Sequence, residues 1–435
     1  MRQRWLIALV VTALPLAAEV KVLKNFTLID GSGNPAVAGA AMVIDNGRIV
    51  RIGSAEHLTG PAGAQVIDLS GKFVMPGIIN LHGHVGNTVD LTQDAKNYTR
   101  ENIEKNLRTY ASYGVTTVLS LGTDQDLIFR FRDEQRAGRP TYTRVYTAGQ
   151  GFTLKGGVGG MPSVTFNLED GGEIPKDVDT LAAKKVDIVK VWVDDSLGHR
   201  KKIPFEMTKA IIDNAHRHGL RVDAHIFYLA DAKQLVNAGL DALAHSVRDQ
   251  PVDQELIDSM KKHGTWQSAA TLTREASMFV YAKPPAFLTD TFFTRSVSSA
   301  VVTTLGDPDY QKKFASDPDF PKYPGFLEMA QKNLKRLADA GIPYGFGTDT
   351  GPPGRFPGFF EQWEMELMVD AGLTPSQVIT AATKSAAEFL HAKDLGTLEV
   401  GKWADLIVLN ADPRVNIRNT RTIEAVYIAG NQVAP

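Results

Sequence analysis

Cysteine is absent from the 435 residues. That excludes disulfides, cysteine-based zinc fingers, iron–sulfur clusters and thiol nucleophiles together. Any metal must then sit on nitrogen and oxygen donors. A charge excess of one sign is also missing. Lys and Arg total 47 against 49 Asp and Glu, a formal −2, which excludes a polybasic nucleic-acid binder. No segment is low in complexity, and no short tandem repeat occurs. What is present is an ordinary folded-protein composition, 43% hydrophobic and 22% charged, with ten histidines.

The apolar run Trp5 to Ala17 has 13 residues, short of the roughly 20 that span a membrane. Arg2 and Arg4 precede it, and Leu16-Ala17-Ala18 offers small residues for cleavage before Glu19. Residues 1–18 therefore read as a secretory signal peptide. The expectation is an exported protein, periplasmic or secreted, with no stable membrane insertion once the signal is removed. The mature chain then carries 45 basic against 49 acidic side chains, or −4. No nucleic-acid partner is expected. A small-molecule substrate is, and a homo-oligomer is compatible with the same reading.

Two strand-rich flanks enclose a long alternating centre. At the front, 20–29, 42–53, 66–69 and 73–75 read as strands, with Asp45-Asn46-Gly47 a hairpin signal. At the back, 404–409 and 425–428 read likewise. Each flank alone is too short to bury much of a core, so 19–75 and 394–435 read together as one small sheet domain. Across 76–393, eight apolar strand candidates alternate with helical stretches. The strands are 77–84, 115–121, 144–149, 187–193, 221–225, 242–247, 265–270 and 343–348. The clearest helices are 204–218, 229–238, 253–262, 326–340 and 375–390. Eight βα units predict a TIM (β/α)8 barrel. The open doubly wound rival lacks its Gly-rich loop after the first strand. Long connections at 153–176 and 271–325 leave the carboxyl ends of strands, where barrel active sites lie.

His82 and His84, in "GIINLHGHVGN", end the first strand two residues apart, so they share a face. His216 and His218 have the same spacing on a helix, where it does not align them. They read as a solvated helix end. His225 closes the fifth strand and His245 the sixth. Asp349 closes the eighth, which in a closed barrel lies beside the first. Lys190 lies within the apolar fourth strand, where burying its cation is costly. A lysine near metal has another use, because carbon dioxide can carboxylate its amine into an anionic bridging ligand. His57, His199, His263 and His391 are assigned to the surface.

The ordered set resembles the amidohydrolase superfamily of metal-dependent hydrolases. "VMPGIINLHGH" carries the likeness, with Lys190, His225, His245 and Asp349 at successive strands and the trailing "GTLEVGKWADLIVL". Within it the chain looks closest to imidazolonepropionase-related members, some of them exported dipeptidases. The resemblance implies a (β/α)8 barrel beside a small β-sandwich built from both chain ends, and two divalent metal ions, zinc by default. His82, His84 and Asp349 would bind the more buried one and His225 and His245 the second, with carboxylated Lys190 as bridge. It implies cleavage of an amide bond of a dipeptide or N-acyl amino acid, with Asp349 as general base and then acid. Deaminases of the superfamily commonly place Glu three residues after the fifth-strand His. Here Tyr228 stands there, a candidate to donate a hydrogen bond to substrate. Arg248, Lys155 and Arg355 are candidate partners for a substrate carboxylate. Alternatives are a lactonase or phosphotriesterase on the same metals, a single-metal imidazolonepropionase-like cyclic amidase, and a non-catalytic binding member.

Overall fold

The computed structural model describes residues 20–434. The expected signal segment lies outside the described residues, apart from which the flanks and centre can be followed throughout. Lys21–Leu28 is the first strand among the described residues, and Val37–Asp45 with Arg48–Ser54 forms the expected hairpin. Its two-residue loop puts Asn46 and Gly47 at φ 48° and 79°, the left-handed pair that matches the twist of the flanking strands.

The two chain ends meet in one eight-stranded sheet. Leu406–Leu409 lies antiparallel to Phe73–Pro76, and Ile423–Ile428 and Asn431–Ala434 extend the sheet beyond it. Leu23, Phe26 and Met42 from the front pack with Leu406, Val408 and Tyr427 from the back. The sheet is therefore built from segments more than 300 residues apart. Arg144, on the third barrel strand, reaches Asp405 of the tail with two buried hydrogen bonds of 2.6 and 3.1 Å.

The centre is a TIM barrel. Seven parallel strands follow in order: Ile78–Gly83, Val115–Ser120, Arg144–Thr147, Val189–Trp192, Val222–His225, Ala242–Ala244 and Trp266–Ala269. Helices Phe205–Arg217, Leu229–Asn237, Gln254–His263 and Tyr323–Asp339 occupy the predicted stretches. Each buries one apolar stripe on the strands. Ile211, Leu235, Leu256 and Leu337, for example, join Val189, Val222 and Leu243. The predicted helix at 375–390 is interrupted by one π turn over Ala381–Ser385.

The eighth strand differs from expectation. Around 343–350 only isolated bridges form, Gln267 with Tyr344 and Gly83 with Thr350. Backbone bonds still close the ring. Leu81 donates to Phe346 and Asp349 to His82, at 2.8 and 2.7 Å. Glycine explains the close seam. A Cβ on Gly347 would lie 2.8 Å from the His82 nitrogen, and one on Gly351 would lie 1.9 Å from the His84 oxygen. The long connections hold structure of their own. The first pairs Phe152–Leu154 with Phe166–Leu168, and the second carries several short helices.

Candidate active site

The four strand-end histidines and Asp349 converge at the carboxyl ends of the barrel strands, all buried. The His82 and His245 rings are 4.7 Å apart, and those of His225 and His245 are 4.2 Å apart. The Asp349 carboxylate has two sides. Its Oδ1 lies 2.9 Å from His84 Nε2 and 3.6 Å from His82 Nε2. Its Oδ2 accepts from Arg355 and lies 3.6 Å from Arg274 Nε. His245, Thr271 and Asp349 take φ of 68°, 55° and 60°. Non-glycine residues rarely hold that left-handed region, and strain of this kind gathers at functional sites.

One nitrogen of three of the imidazoles is already assigned. Thr123 Oγ1 lies 2.9 Å from His84 Nδ1, Thr271 Oγ1 lies 2.6 Å from His245 Nδ1, and Asp194 lies 2.8 Å from His225 Nε2. Such outer contacts fix which nitrogen faces inward. Burial favours the neutral imidazoles. It holds His82 and His245 well below their ordinary pKa and takes His225 down to about 4 against the pull of Asp194. Burial alone would raise Asp349, but Arg355, His82 and His84 outweigh it and hold the carboxyl well below its usual range. Neutral imidazole and ionised carboxylate are the forms that bind metal.

Lys190 is wholly enclosed, at 0% exposure. Among the described residues its Nζ has no hydrogen-bond partner, nor do His82 Nδ1 and His245 Nε2. Burial takes its pKa down to about 8, although Asp223 and Asp349 favour the cation. Donor atoms of His82, His245 and Asp349 all lie within 4.8 Å of one another, close enough to hold one ion. Two buried imidazoles and a carboxylate grouped this closely fit a metal.

Residues not singled out from the sequence hold this arrangement. The helix Phe359–Asp370 sends two buried carboxylates under the site. Glu361 accepts from Asn80, Thr348 and Thr350 at 2.6–2.7 Å, tying the first strand to the eighth. Glu364 accepts from the Leu272 and Thr273 backbones at 2.8 and 2.7 Å, fixing the helix Leu272–Ser277 that follows the seventh strand.

A cavity of about 300 Å³ opens over the site, lined by His84, His225, Asp349, Trp192 and Gly157–Met161 of the first long connection. Arg200, Arg274 and Arg355 line it too. Of the three candidate carboxylate partners, Arg355 is the one that lines this cavity. Arg248 is brought close but buried, on Phe227 and 3.2 Å from Glu275. Lys155 is exposed, in an ion pair with Glu169 at 2.6 Å, and does not line the cavity. Tyr228 donates its hydroxyl to Asp195 at 2.8 Å and is likewise off the lining. His216 and His218 are half exposed and paired with Asp241 and Asp179. Arg274 was missed, although "TLTREAS" put a charge directly after the seventh strand. Asp194 was available in the same way from "VWVDD".

Residues 73–433 match the profile of the amidohydrolase family. The chain belongs to that family. This amidohydrolase is similar to imidazolonepropionase of Streptomyces griseus subsp. griseus, 25% identical over 415 residues covering 93% of this chain and 95% of the relative. It resembles the solved structure of a Xaa-Pro dipeptidase with bound methionine, with a TM-score of 0.73 at 21% identity, over 95% of this chain and 99% of that one. It also resembles A. niger ochratoxinase, with a TM-score of 0.72 at 19% identity, over 95% of both chains. Those two attest the shared fold. The amidohydrolase is a hydrolase of carbon–nitrogen bonds in small molecules, from a family generally dependent on metal. Among the described residues no helix is long and apolar enough to cross a membrane.

Proposed function

We propose that this amidohydrolase cleaves the amide bond of a dipeptide or N-acyl amino acid, using two divalent metal ions bridged by a carboxylated Lys190. The observation that carries the reading is the buried Lys190 amine. Its Nζ has no hydrogen-bond partner among the described residues, and burial brings its pKa to about 8 with Asp349 and Asp223 nearby. A neutral amine can add carbon dioxide, releasing one proton and leaving an anionic carbamate. That charge would suit a pair of cations in a place where an ammonium is costly.

His82, His84 and Asp349 would hold one ion and His225 and His245 the other. Divalent metal there supplies a Lewis acid for the scissile carbonyl and lowers the pKa of water towards neutrality. Asp349 takes the proton from the attacking water and passes it to the leaving amine. Thr123, Asp194 and Thr271 keep the imidazoles oriented, and the arginine-lined cavity receives the anionic end of the substrate. The relative named imidazolonepropionase, with the compact grouping of His82, His245 and Asp349, favours a second reading: one metal and a cyclic amide.

Metal analysis with a substrate library separates the two. The expected result is two equivalents of metal per chain, falling to one or fewer in Lys190→Ala with activity lost. One equivalent in the active wild type, unchanged in Lys190→Ala, would decide for the second reading. We further propose export on the strength of residues 1–18. N-terminal sequencing of the mature protein, beginning at Glu19, tests it.

A further inference from the structure

Resting on the amide-hydrolase reading above, we infer that Arg274 is the principal anchor for a free carboxylate on the substrate, and that Glu275 and Arg248 are its positioning pair. Arg274 sits in the helix Leu272–Ser277, whose start is pinned by Glu364. Its side chain forms the wall between two cavities. One is the 300 Å³ cavity over the site. The other, of about 480 Å³, carries Phe227, Tyr323 and Phe326 beside the charged Asp194, Asp317 and Asp319.

Arg274 itself faces Glu275, Asp349 and Asp194, but the charges lining the smaller cavity are asymmetric. Among the residues lining the smaller cavity, Arg200, Arg274 and Arg355 stand against one carboxylate, that of Asp349. Asp349 turns only one oxygen towards them, since Oδ1 faces His82 and His84. An anion entering this cavity meets surplus guanidinium, which suits a carboxylate through paired charge-assisted hydrogen bonds. The reacting amide would lie beside the histidines, within one amino-acid length of that anchor.

Behind Arg274 is a buried relay. Glu275, 2% exposed, accepts from Arg274 Nη1 at 2.5 Å and faces Arg248 Nε at 3.2 Å. Arg248 donates to the Ser246 carbonyl at 2.9 Å and packs on Phe227. Glu275 therefore shares its charge between two guanidiniums and holds Arg274 in one direction without cancelling it.

The test uses metal-loaded full-length enzyme and matched probes, N-acetyl-L-phenylalanine and N-acetyl-L-phenylalaninamide. Binding is measured by calorimetry, and turnover of dipeptides is compared with that of their C-terminal carboxamides. Wild type should favour the free acid by about 10- to 100-fold, the range of charge-assisted hydrogen bonding. In Arg274→Met that ratio should collapse towards one, and Arg274→Lys, which keeps the charge, should restore part of it. Glu275→Gln should raise KM for the acid with kcat little changed, a split that general loss of structure would not give. An acid-to-carboxamide ratio unaltered in folded Arg274→Met overturns the assignment, even where amides are cleaved. Loss of acid binding in Arg274→Met supports it, even where no amide is turned over and the amide-hydrolase reading fails.

Discussion

One carboxylate serves two neighbourhoods at Asp349. Oδ1 belongs with the histidines and Oδ2 with the guanidiniums, so the residue stays ionised while remaining tethered. The imidazoles depend on tethers of the same kind. Asp194 is the strongest, because its hydrogen bond to His225 is charge-assisted and buried. Replacing it with Asn should leave the fold in place and weaken metal binding by about 10- to 100-fold. Competition with a graded chelator measures this, and an unchanged affinity would show that Asp194 does not orient the ring. Gly351 makes a different demand. Its φ of 117° and the 1.9 Å approach to the His84 oxygen leave no room for a methyl group. Gly351→Ala should cost roughly 3 kcal/mol or more by urea unfolding and displace His84. A loss under about 1 kcal/mol would mean the seam can yield.

Among the elements, the helix Phe359–Asp370 is the support of the site. Burial lifts Glu364 from 4.5 to about 7, although the Thr273 and Leu272 groups it accepts from favour its ionised form. Its native state therefore binds more protons than the unfolded chain between those values. Stability relative to Glu364→Gln is fully present below about pH 4.5 and is lost as pH rises through 7, by about 3 kcal/mol in all. Urea midpoints of the two proteins at pH 5 and pH 8 should show this difference, and parallel curves would refute it. This helix was also the least legible element. In "FFEQWEMELMVD" the acids alternate with apolar residues as on any half-solvated helix, so nothing local shows that Glu361 and Glu364 face inward. The strand-end histidines were legible because strand period and chain order coincide. The eighth strand was legible as an apolar run. Its reduction to isolated bridges depends on how closely Gly347 and Gly351 approach the first strand, which no local pattern encodes. Arg274 lies within a connection whose short helices carry no strong periodicity, so its direction is set by Glu275 and Glu364.

At the scale of the molecule, barrel and sheet are joined by polar as well as apolar contacts. Arg144 and Asp405 are both buried, and the Ala429 backbone also donates to Asp405 at 2.7 Å. Asp405→Ala would strand the Arg144 guanidinium, and the expected cost is about 3–5 kcal/mol. Denaturant unfolding checks it, and a cost below about 1 kcal/mol would show that water replaces the carboxylate. The broad architecture was legible because alternation and flank composition are properties of long windows. The junction was not, since the partner of Arg144 lies 261 residues away.

The meeting of both chain ends in one sheet also sets a schedule for biosynthesis. Phe73–Pro76 leaves the ribosome early, but its antiparallel neighbour Leu406–Leu409 is made more than 300 residues later. At about 5–20 residues per second, that edge stays open for tens of seconds. During that interval it can pair with another nascent chain. The protein's most vulnerable surface is thus one that the finished molecule no longer has.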